Sequence, residues 1–217
     1  MAAEPALRTP AGFWKRYVAY FIDLIIASVA AAALTTPLLP WVLGEDAQRI
    51  DALVRIAMTG QPLAAGQDAS PLSIGTLIVK LVVFSGLAYA IVGGAYFALC
   101  ESSAWQATLG KRLIGIKVVA DDGSRIGLGR AIARFFAAGL SWATLNVGHA
   151  MAAFTADRRA LHDYLAGTRV ENADPARTEM PAWGWAVVAA NVLLVVLVIV
   201  GTVMATWYAL SQASLVG

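Results

Sequence analysis

Long uninterrupted apolar segments are the feature that most restricts how this chain can fold. The clearest one covers residues 183–210, which contain no charged residue, begin with Trp183 and Trp185, and end with Trp207 and Tyr208. About 20 predominantly apolar residues suffice for a helix to cross the ~30 Å hydrocarbon core of a bilayer, and tryptophan and tyrosine are enriched at both membrane interfaces. The segment therefore predicts a transmembrane helix.

Two further segments predict transmembrane helices. The first runs from about residue 13 to 39, where Pro37 and Pro40 are expected to end it, and the second covers about residues 73–100. Over the whole chain, hydrophobic residues make up 59% and charged residues 14%, against roughly half and a quarter in soluble domains. We therefore expect an all-α integral membrane protein with three to four transmembrane helices, embedded in a lipid bilayer.

A fourth apolar segment, residues 131–155, is interrupted by Arg134, Asn146 and His149. Residues 144–148 form a plausible break. Two half-length helices that re-enter the membrane or lie at its interface fit this pattern as well as one crossing helix does.

Lysine and arginine are concentrated in two polar stretches. Residues 105–134 carry six of them and residues 156–182 carry four, whereas the connector at residues 44–73 carries two. Because cytoplasmic loops of membrane proteins carry the excess of Lys and Arg, both stretches and the N-terminus are predicted to be cytoplasmic. Residues 131–155 would then re-enter the membrane and the C-terminus would lie outside. Four simple spans are the alternative.

The polar stretches contain short predicted elements. In the 44–73 connector, apolar residues recur at helical spacing and predict a short amphipathic helix; they are Ile50, Leu53, Val54, Ala57 and Met58. The run from Leu113 to Val119 before Asp122 and Gly123 predicts a strand entering a tight turn, and hence a small cytoplasmic β-hairpin. A short surface helix is expected between Asp157, a good N-cap, and Gly167, a typical stop.

Small residues recur at four-residue spacing on the first two predicted helices. On the second helix they are Gly86, Ala90, Gly94 and Ala98, and on the first helix Ala19, Ala27 and Ala31 flank Asp23. Such faces let helices approach closely in a bilayer. An alanine-rich composition alone gives the same pattern.

Asp23 is the clearest candidate for a functional group. An ionisable side chain inside a bilayer costs ~2.5–3.5 kcal/mol on insertion scales and is treated as functional by default. A buried carboxylate can hold either a proton or a cation, which makes exchange between the two chemically feasible. Tyr20 lies nearby on the same helix. The alternative is that Asp23 is a hydrogen-bond acceptor that only locks helix packing.

Three separated motifs carry a family resemblance. They read GFWKRYVAYFID from Gly12 to Asp23, TLGKRLIG from Thr108 to Gly115, and DRRALHDYLAGT from Asp157 to Thr168. In this order they resemble the RDD family of bacterial membrane proteins, over about residues 12–170. The family is named for one arginine and two aspartates, which by motif match are Arg16, Asp23 and Asp163.

The resemblance implies a location in the bacterial cytoplasmic (inner) membrane. Some members of the family are linked to exchange of sodium or other cations for protons, and others serve as domains that assemble membrane complexes. The expected function is therefore a cation/proton exchanger, handling a monovalent cation and a proton, or a small-ligand transporter. The alternative is a non-transporting scaffold or assembly subunit. With few spans and no internal repeat, transport would require a homo-oligomer or a membrane protein partner.

Arg16 and Asp163 are predicted to pair at the cytoplasmic face. A half-buried guanidinium group needs an anion, and Asp23 lies two helical turns, ~10 Å, along the helix from Arg16. The alternative is that Asp163 pairs with Arg159, four residues earlier. The remaining supporting candidates for an ion or ligand site are Tyr20, Asn146, His149 and His162.

Nothing in the sequence predicts an enzyme. There is no Ser-His-Asp arrangement, pair of catalytic carboxylates or cofactor fingerprint, and the two histidines lack metal-ligand spacing, so no catalytic residue, cofactor or metal is expected. A net charge of +2 without a basic run interleaved with aromatics argues against nucleic acid. The predicted organisation is a disordered tail (1–12), an RDD-like membrane domain (13–170), a linker (171–182) and an additional transmembrane helix (183–217).

Overall fold

The computed structural model describes residues 9–60 and 71–216. Its helices are α1 (Phe13–Thr35), α2 (Leu39–Leu43), α3 (Asp46–Thr59), α4 (Pro71–Ser102), α5 (Leu109–Ile114), α6 (Leu128–Ala143), α7 (Val147–Phe154), α8 (Leu161–Ala166) and α9 (Ala182–Val216). Strands β1 (Ile116–Ala120) and β2 (Thr168–Asn172) form a two-stranded antiparallel sheet.

Three segments of the described chain are long and apolar enough to cross a membrane, namely Phe13–Leu43, Ile74–Ser102 and Ala182–Tyr208. The predicted apolar helices are thus confirmed, with one difference in the first. The prolines do not end the helical path, because α1 passes at Thr35 into a 3-10 turn and then into α2. Each proline lies in the first turn of its element, where its missing N–H costs no hydrogen bond.

The sheet determines which helix ends lie together. β1 pairs with β2 from Ile116↔Asn172 to Ala120↔Thr168, and the Ala11 N–H donates to the Val170 carbonyl at 2.9 Å. The start of α1, the segment after α4, the start of α6, the end of α8 and the segment before α9 therefore meet at one end of the helices. We call this end, defined by β1, β2 and residues 9–12, the sheet end.

The two strands do not form the predicted β-hairpin. A tight turn does follow β1, where the Gly123 N–H donates to the Ala120 carbonyl at 2.9 Å, but the chain then leads through Gly127, the N-cap of α6, and returns as β2 only after α8. Leu113 and Ile114, expected in the strand, belong to α5. A short apolar run fits a strand or a buried helical turn equally well by periodicity.

Residues 131–155 form two half-length helices rather than one crossing helix. α6 runs away from the sheet end and α7 returns towards it after a break at which Leu145 and Asn146 have φ of +50° and +64°. Asparagine adopts this left-handed conformation more readily than most residues. The four-span arrangement is therefore wrong for this segment. α6 packs on α4, where the ring of Phe135 lies against Gly94 of the predicted small-residue face.

Three predicted boundaries differ from the observed ones. Thr9 to Ala11 pair with β2 instead of belonging to a disordered tail, while residues 1–8 lie outside the described part. β2 extends to Asn172, into the predicted linker. Asp157 is not a helix N-cap, because α8 begins only at Leu161. The Arg159 N–H donates to the Thr155 hydroxyl at 2.8 Å, which holds the preceding residues in a turn.

The predicted amphipathic helix in the connector is confirmed as α3. Asp46 at its start forms ion pairs with Arg49 and, at 2.5 Å, with Nζ of Lys80, and so ties α3 to α4. Residues 61–70 of the connector lie outside the described residues.

Candidate functional site

Five charged side chains from five different helices meet at the sheet end, and we call them the buried ion network. They are Arg16 of α1, Glu101 of α4, Lys111 of α5, Arg134 of α6 and Asp163 of α8. Side-chain exposure ranges from 0% for Asp163 to 12% for Arg16. Each charge contacts an opposite one, as burial in a region of low dielectric requires.

Asp163 holds one half of this network. Its carboxylate accepts hydrogen bonds from Nη1 of Arg16 at 2.5 Å, from Nη2 of Arg134 at 2.9 Å and from the Ala160 N–H at 3.1 Å. The last bond satisfies a free N–H at the start of α8. Burial opposes ionisation, but the charges of Arg134 and Arg16 outweigh it and hold the pKa of Asp163 well below its ordinary value. The predicted contact between Arg16 and Asp163 is confirmed.

Glu101 holds the other half. Nη1 of Arg134 donates to both of its oxygens, at 2.7 and 2.8 Å, and Nζ of Lys111 donates to one of them. Arg134 therefore bridges the two carboxylates of the network, through charge-assisted hydrogen bonds, which are the stronger kind.

The sequence alone does not identify Glu101 or Arg134 as site residues. Glu101 falls one residue beyond the predicted end of the second helix. Charged residues are common at such a polar boundary, so its position does not predict a buried role. Arg134 interrupts an apolar segment of the sequence, and an arginine in such a segment requires an anion. That signal identifies Arg134 as a buried partner but does not say which acid it meets.

Asp23 lies outside the buried ion network. It is fully buried, and its carboxylate accepts hydrogen bonds from the Tyr96 hydroxyl at 2.6 Å, from the Gly110 N–H at 2.8 Å and from the Thr108 hydroxyl. Among the described residues, none of its hydrogen-bonding partners is a cation. Asp23 thus docks the start of α5 onto α1.

Glycine is required at position 110 for this docking. A Cβ atom there would lie 2.9 Å from both Cγ and Oδ1 of Asp23 and would also collide with the Ala19 carbonyl. Gly110 of the TLGKRLIG motif therefore makes the close contact between α5 and α1 possible.

The other predicted supporting residues divide into two groups. The rings of Tyr20, His149 and His162 contact one another in series at tilted angles, with centroids 5.4 and 5.0 Å apart. Arg159 does not contact Asp163; its guanidinium group pairs with Asp121 instead. The alternative partner for Asp163 is therefore wrong.

The two histidines each have a buried Nδ1 atom without a hydrogen-bond partner in the described part of the chain. Nε2 of His162 lies 3.6 Å from Oδ1 of Asp163. Burial and the charge of Arg134 lower the pKa of His162 well below its ordinary value, and the opposing effect of Asp163 does not compensate. His162 is therefore neutral at pH 7.

A cavity of about 980 Å³ lies between α1, α4, α6 and α7. At the sheet end it is lined by Arg16, Glu101, Lys111, Arg134 and His162, with His149 and Asn146 further in. Away from that end the walls are mostly apolar, with Leu24, Phe84 and Trp142 among the lining residues. Asp23 does not line the cavity. Within the described residues no cluster of three or more His, Cys, Asp and Glu could hold a metal ion.

Comparisons with known proteins agree with the motifs. The sequence model of the RDD family matches residues 10–167. The chain is 31% identical over 166 residues to the uncharacterized protein YxaI of Bacillus subtilis (strain 168), covering 76% of this chain and 98% of YxaI. It is 31% identical over 179 residues to the uncharacterized protein YckC of the same strain, covering 80% of this chain and 91% of YckC. No solved structure matches significantly.

Proposed function

The chain belongs to the RDD family, and from this premise we propose that it is a multi-pass protein of the bacterial cytoplasmic membrane that transports a small ligand, with its N-terminus in the cytoplasm. The observation that carries the proposal is the cavity of about 980 Å³, one end of which is formed by the buried ion network. Ligand cavities measure about 300–1,000 Å³ and combine apolar walls with a few polar groups. This cavity has both properties.

The position of the charges favours a role in ligand binding over one in packing alone. Removing an ion from water costs several kcal/mol, and well-packed apolar residues are often at least as stabilising as a buried ion pair. Four members of the network, among them Arg134, nevertheless form the wall of a cavity. Charges in such positions are typical of substrate pathways in membrane proteins.

The α6–α7 pair supports the transport proposal further. Transporters place their substrates where helices are broken, because the interrupted backbone and the residues beside it become available to the ligand. The break between α6 and α7 places Asn146 and His149 on the cavity wall. With three candidate spans, a complete pathway requires a homo-oligomer or a membrane protein partner.

Exchange of a monovalent cation for a proton is the other form of transport that we propose for this chain. The three donors to the Asp23 carboxylate make it a poor cation site as it stands, because the Gly110 N–H cannot coordinate a cation. An exchanger that used Asp23 would have to separate α5 from α1 during its cycle.

A scaffold or assembly subunit without flux is the second candidate function. The observation that favours it is the complete burial of Asp23 against Thr108, Gly110 and Tyr96. In that case the motif residues would serve only to hold the helices together.

Proteoliposomes test the proposal. Vesicles that contain a pH-sensitive dye receive pulses of sodium, lithium or potassium. A second set carries a fluorescent anionic lipid, chosen because Arg16, Lys111 and Arg134 line a cavity with mostly apolar walls, and chemical quenching follows its transfer between leaflets. The matched variants are Gly139→Leu, which adds a bulky side chain to the cavity wall, and Gly129→Leu on the same helix outside the cavity. A Cβ at either position would meet nothing within 4 Å.

We expect flux with the wild type and Gly129→Leu, and its loss in Gly139→Leu. No flux from the folded wild-type protein in either assay would overturn transport and leave the scaffold function. If Gly139→Leu leaves the flux unchanged, the cavity is not part of the transport pathway.

A further inference from the structure

We infer that the cavity binds an anionic amphiphile, with the negative headgroup at the buried ion network and the hydrocarbon chain between α1 and α4. This inference rests on the proposed function, because it names the class of ligand that the transporter takes. Two sources share this chemistry, the phosphate of an anionic phospholipid and the carboxylate of a long-chain fatty acid.

The charged groups that face the cavity carry a positive excess. Arg16, Lys111 and Arg134 line it, and Glu101 is the one carboxylate that lines it among the described residues. Asp163, which pairs with Arg16 and Arg134, lies behind the wall and is fully buried, and Asp23 does not line the cavity either. A ligand that enters the cavity therefore meets three cations and one anion, which favours a negatively charged headgroup.

Unpartnered histidine atoms mark the same end of the cavity. The Nδ1 atoms of His162 and His149 are buried and make no hydrogen bond within the described residues, and both histidines line the cavity. His162 is 7% exposed. Buried polar atoms in proteins are nearly always paired, so unpaired ones at a cavity wall point to a polar group of a ligand. Phosphate and carboxylate headgroups both provide such groups.

The shape of the cavity argues for a chain attached to that headgroup. The lining extends along α1 from Arg16 to Thr35, which at 1.5 Å per residue is about 28 Å, close to the thickness of the hydrocarbon core of a bilayer. Most of this length is apolar. A small hydrated ion would leave the apolar walls in contact with water, whereas a hydrocarbon chain would cover them.

Native mass spectrometry of the detergent-purified, delipidated protein measures this binding directly. The probes are phosphatidylglycerol against phosphatidylcholine with the same chains, and oleate against oleyl alcohol. We expect each anionic probe to bind roughly tenfold more tightly than its uncharged or zwitterionic counterpart, as one additional charge-assisted hydrogen bond would give. A preference within only one pair identifies the phospholipid or the fatty acid as the source.

Two variants, each with its own control, separate the contribution of the headgroup from that of the hydrocarbon chain. Lys111→Gln removes one lining cation while Arg134 still holds Glu101, so it should reduce the preference for the anionic probes about tenfold. Lys111→Arg should restore it, which separates charge from folding. Gly139→Leu should weaken all probes, whereas Gly129→Leu should weaken none.

Equal affinity for anionic and neutral probes would overturn the inference, as would unchanged binding to Gly139→Leu. These outcomes are distinct from failure of the proposed function. Selective binding without flux in proteoliposomes would support the ligand class and contradict the proposed transport function. Flux of a cation without any preference for anionic amphiphiles would support transport and contradict the inferred ligand class.

Discussion

At the scale of single residues, Asp163 joins three elements of the fold through one carboxylate. It receives hydrogen bonds from α1 through Arg16, from α6 through Arg134 and from the start of its own helix. Arg16 has Asp163 as its carboxylate partner, whereas Arg134 also holds Glu101. The loss of Asp163 therefore leaves two guanidinium groups incompletely paired, and the loss of Arg16 leaves Asp163 still paired with Arg134.

The first prediction follows from this asymmetry. Asp163→Ala should lower the unfolding temperature in detergent strongly, since breaking a buried ion pair costs ~3–5 kcal/mol. Arg16→Ala should cost less, and the double variant should be little worse than Asp163→Ala alone, because the two side chains act on each other. Arg177→Ala, at a side chain 89% exposed, is the control and should change little. If the stability loss of the double variant equals the sum of the losses of the two single variants, the pairing is contradicted.

His162 predicts a pH dependence of stability. Its folded-state pKa is lowered well below the ordinary value of about 6.5, so below pH 6.5 the unfolded chain binds a proton that the folded chain excludes. The contribution of His162 is present above that pH and is lost as pH falls, by at most ~1.4 kcal/mol per pH unit. Thermal unfolding from pH 7.5 to 5 should therefore show a steeper decline for the wild type than for His162→Gln. Parallel declines would exclude His162 as the cause.

The residues of the site were predictable from the sequence in part. The contact between Arg16 and Asp163 followed from two motifs assigned to the same side of the membrane and from the need of a guanidinium group for an anion. The partners of Asp23 did not follow. They depend on α5 folding back against α1, which brings Gly110 beside a residue 87 positions earlier in the chain, and no local pattern encodes that contact.

At the scale of elements, the docking of α5 on α1 depends on the absence of a side chain at Gly110. Gly110→Ala should lower the unfolding temperature by an amount equivalent to ~1–3 kcal/mol, because the new methyl group would overlap with Asp23 and the Ala19 carbonyl. Gly129→Ala is the matched control, since a Cβ there meets nothing within 4 Å, and it should be neutral or stabilising by ~0.5–1 kcal/mol. Equal effects would show that α5 is not closely packed.

Elements with a strong periodic or continuous apolar signal were predictable, and elements defined by tertiary pairing were not. α1, α4, α9 and the break between α6 and α7 follow from apolar segments and their interruptions. The sheet does not, because its central pair joins Val118 to Val170, 52 residues later in the chain, and the intervening chain gives no signal for that register. α5 was not predicted either, because its last residues, Leu113 and Ile114, continue into the apolar run of β1 and fit a strand equally well.

At the scale of the whole molecule, the family match ends at residue 167, before α9. α9 nevertheless packs on α1, with the rings of Trp14 and Trp185 6.0 Å apart and Val188 in the core. Only 6% of its most apolar 18-residue stretch is buried within the protein, so most of its side chains are available to lipid or to another protein. Lys15 strengthens the connection by donating to Asn172 and to the Arg177 carbonyl, both at 2.8 Å.

The arrangement of helix ends leads to the last prediction, which concerns topology. α1 leaves the sheet end, α4 returns to it, the α6–α7 pair leaves and returns, and α9 leaves again. If the Lys- and Arg-rich sheet end lies in the cytoplasm, as we propose, the far end and the C-terminus are predicted to face the periplasm. In a variant with Cys100 replaced by serine, a membrane-impermeant maleimide applied to spheroplasts should label cysteines placed at Glu45 and after Gly217, but not at Ser124. All three should react after permeabilisation. Protection of the cysteine after Gly217 in intact spheroplasts, together with labelling at Glu45, would mean that α9 does not cross, and the three-span arrangement would have to be abandoned.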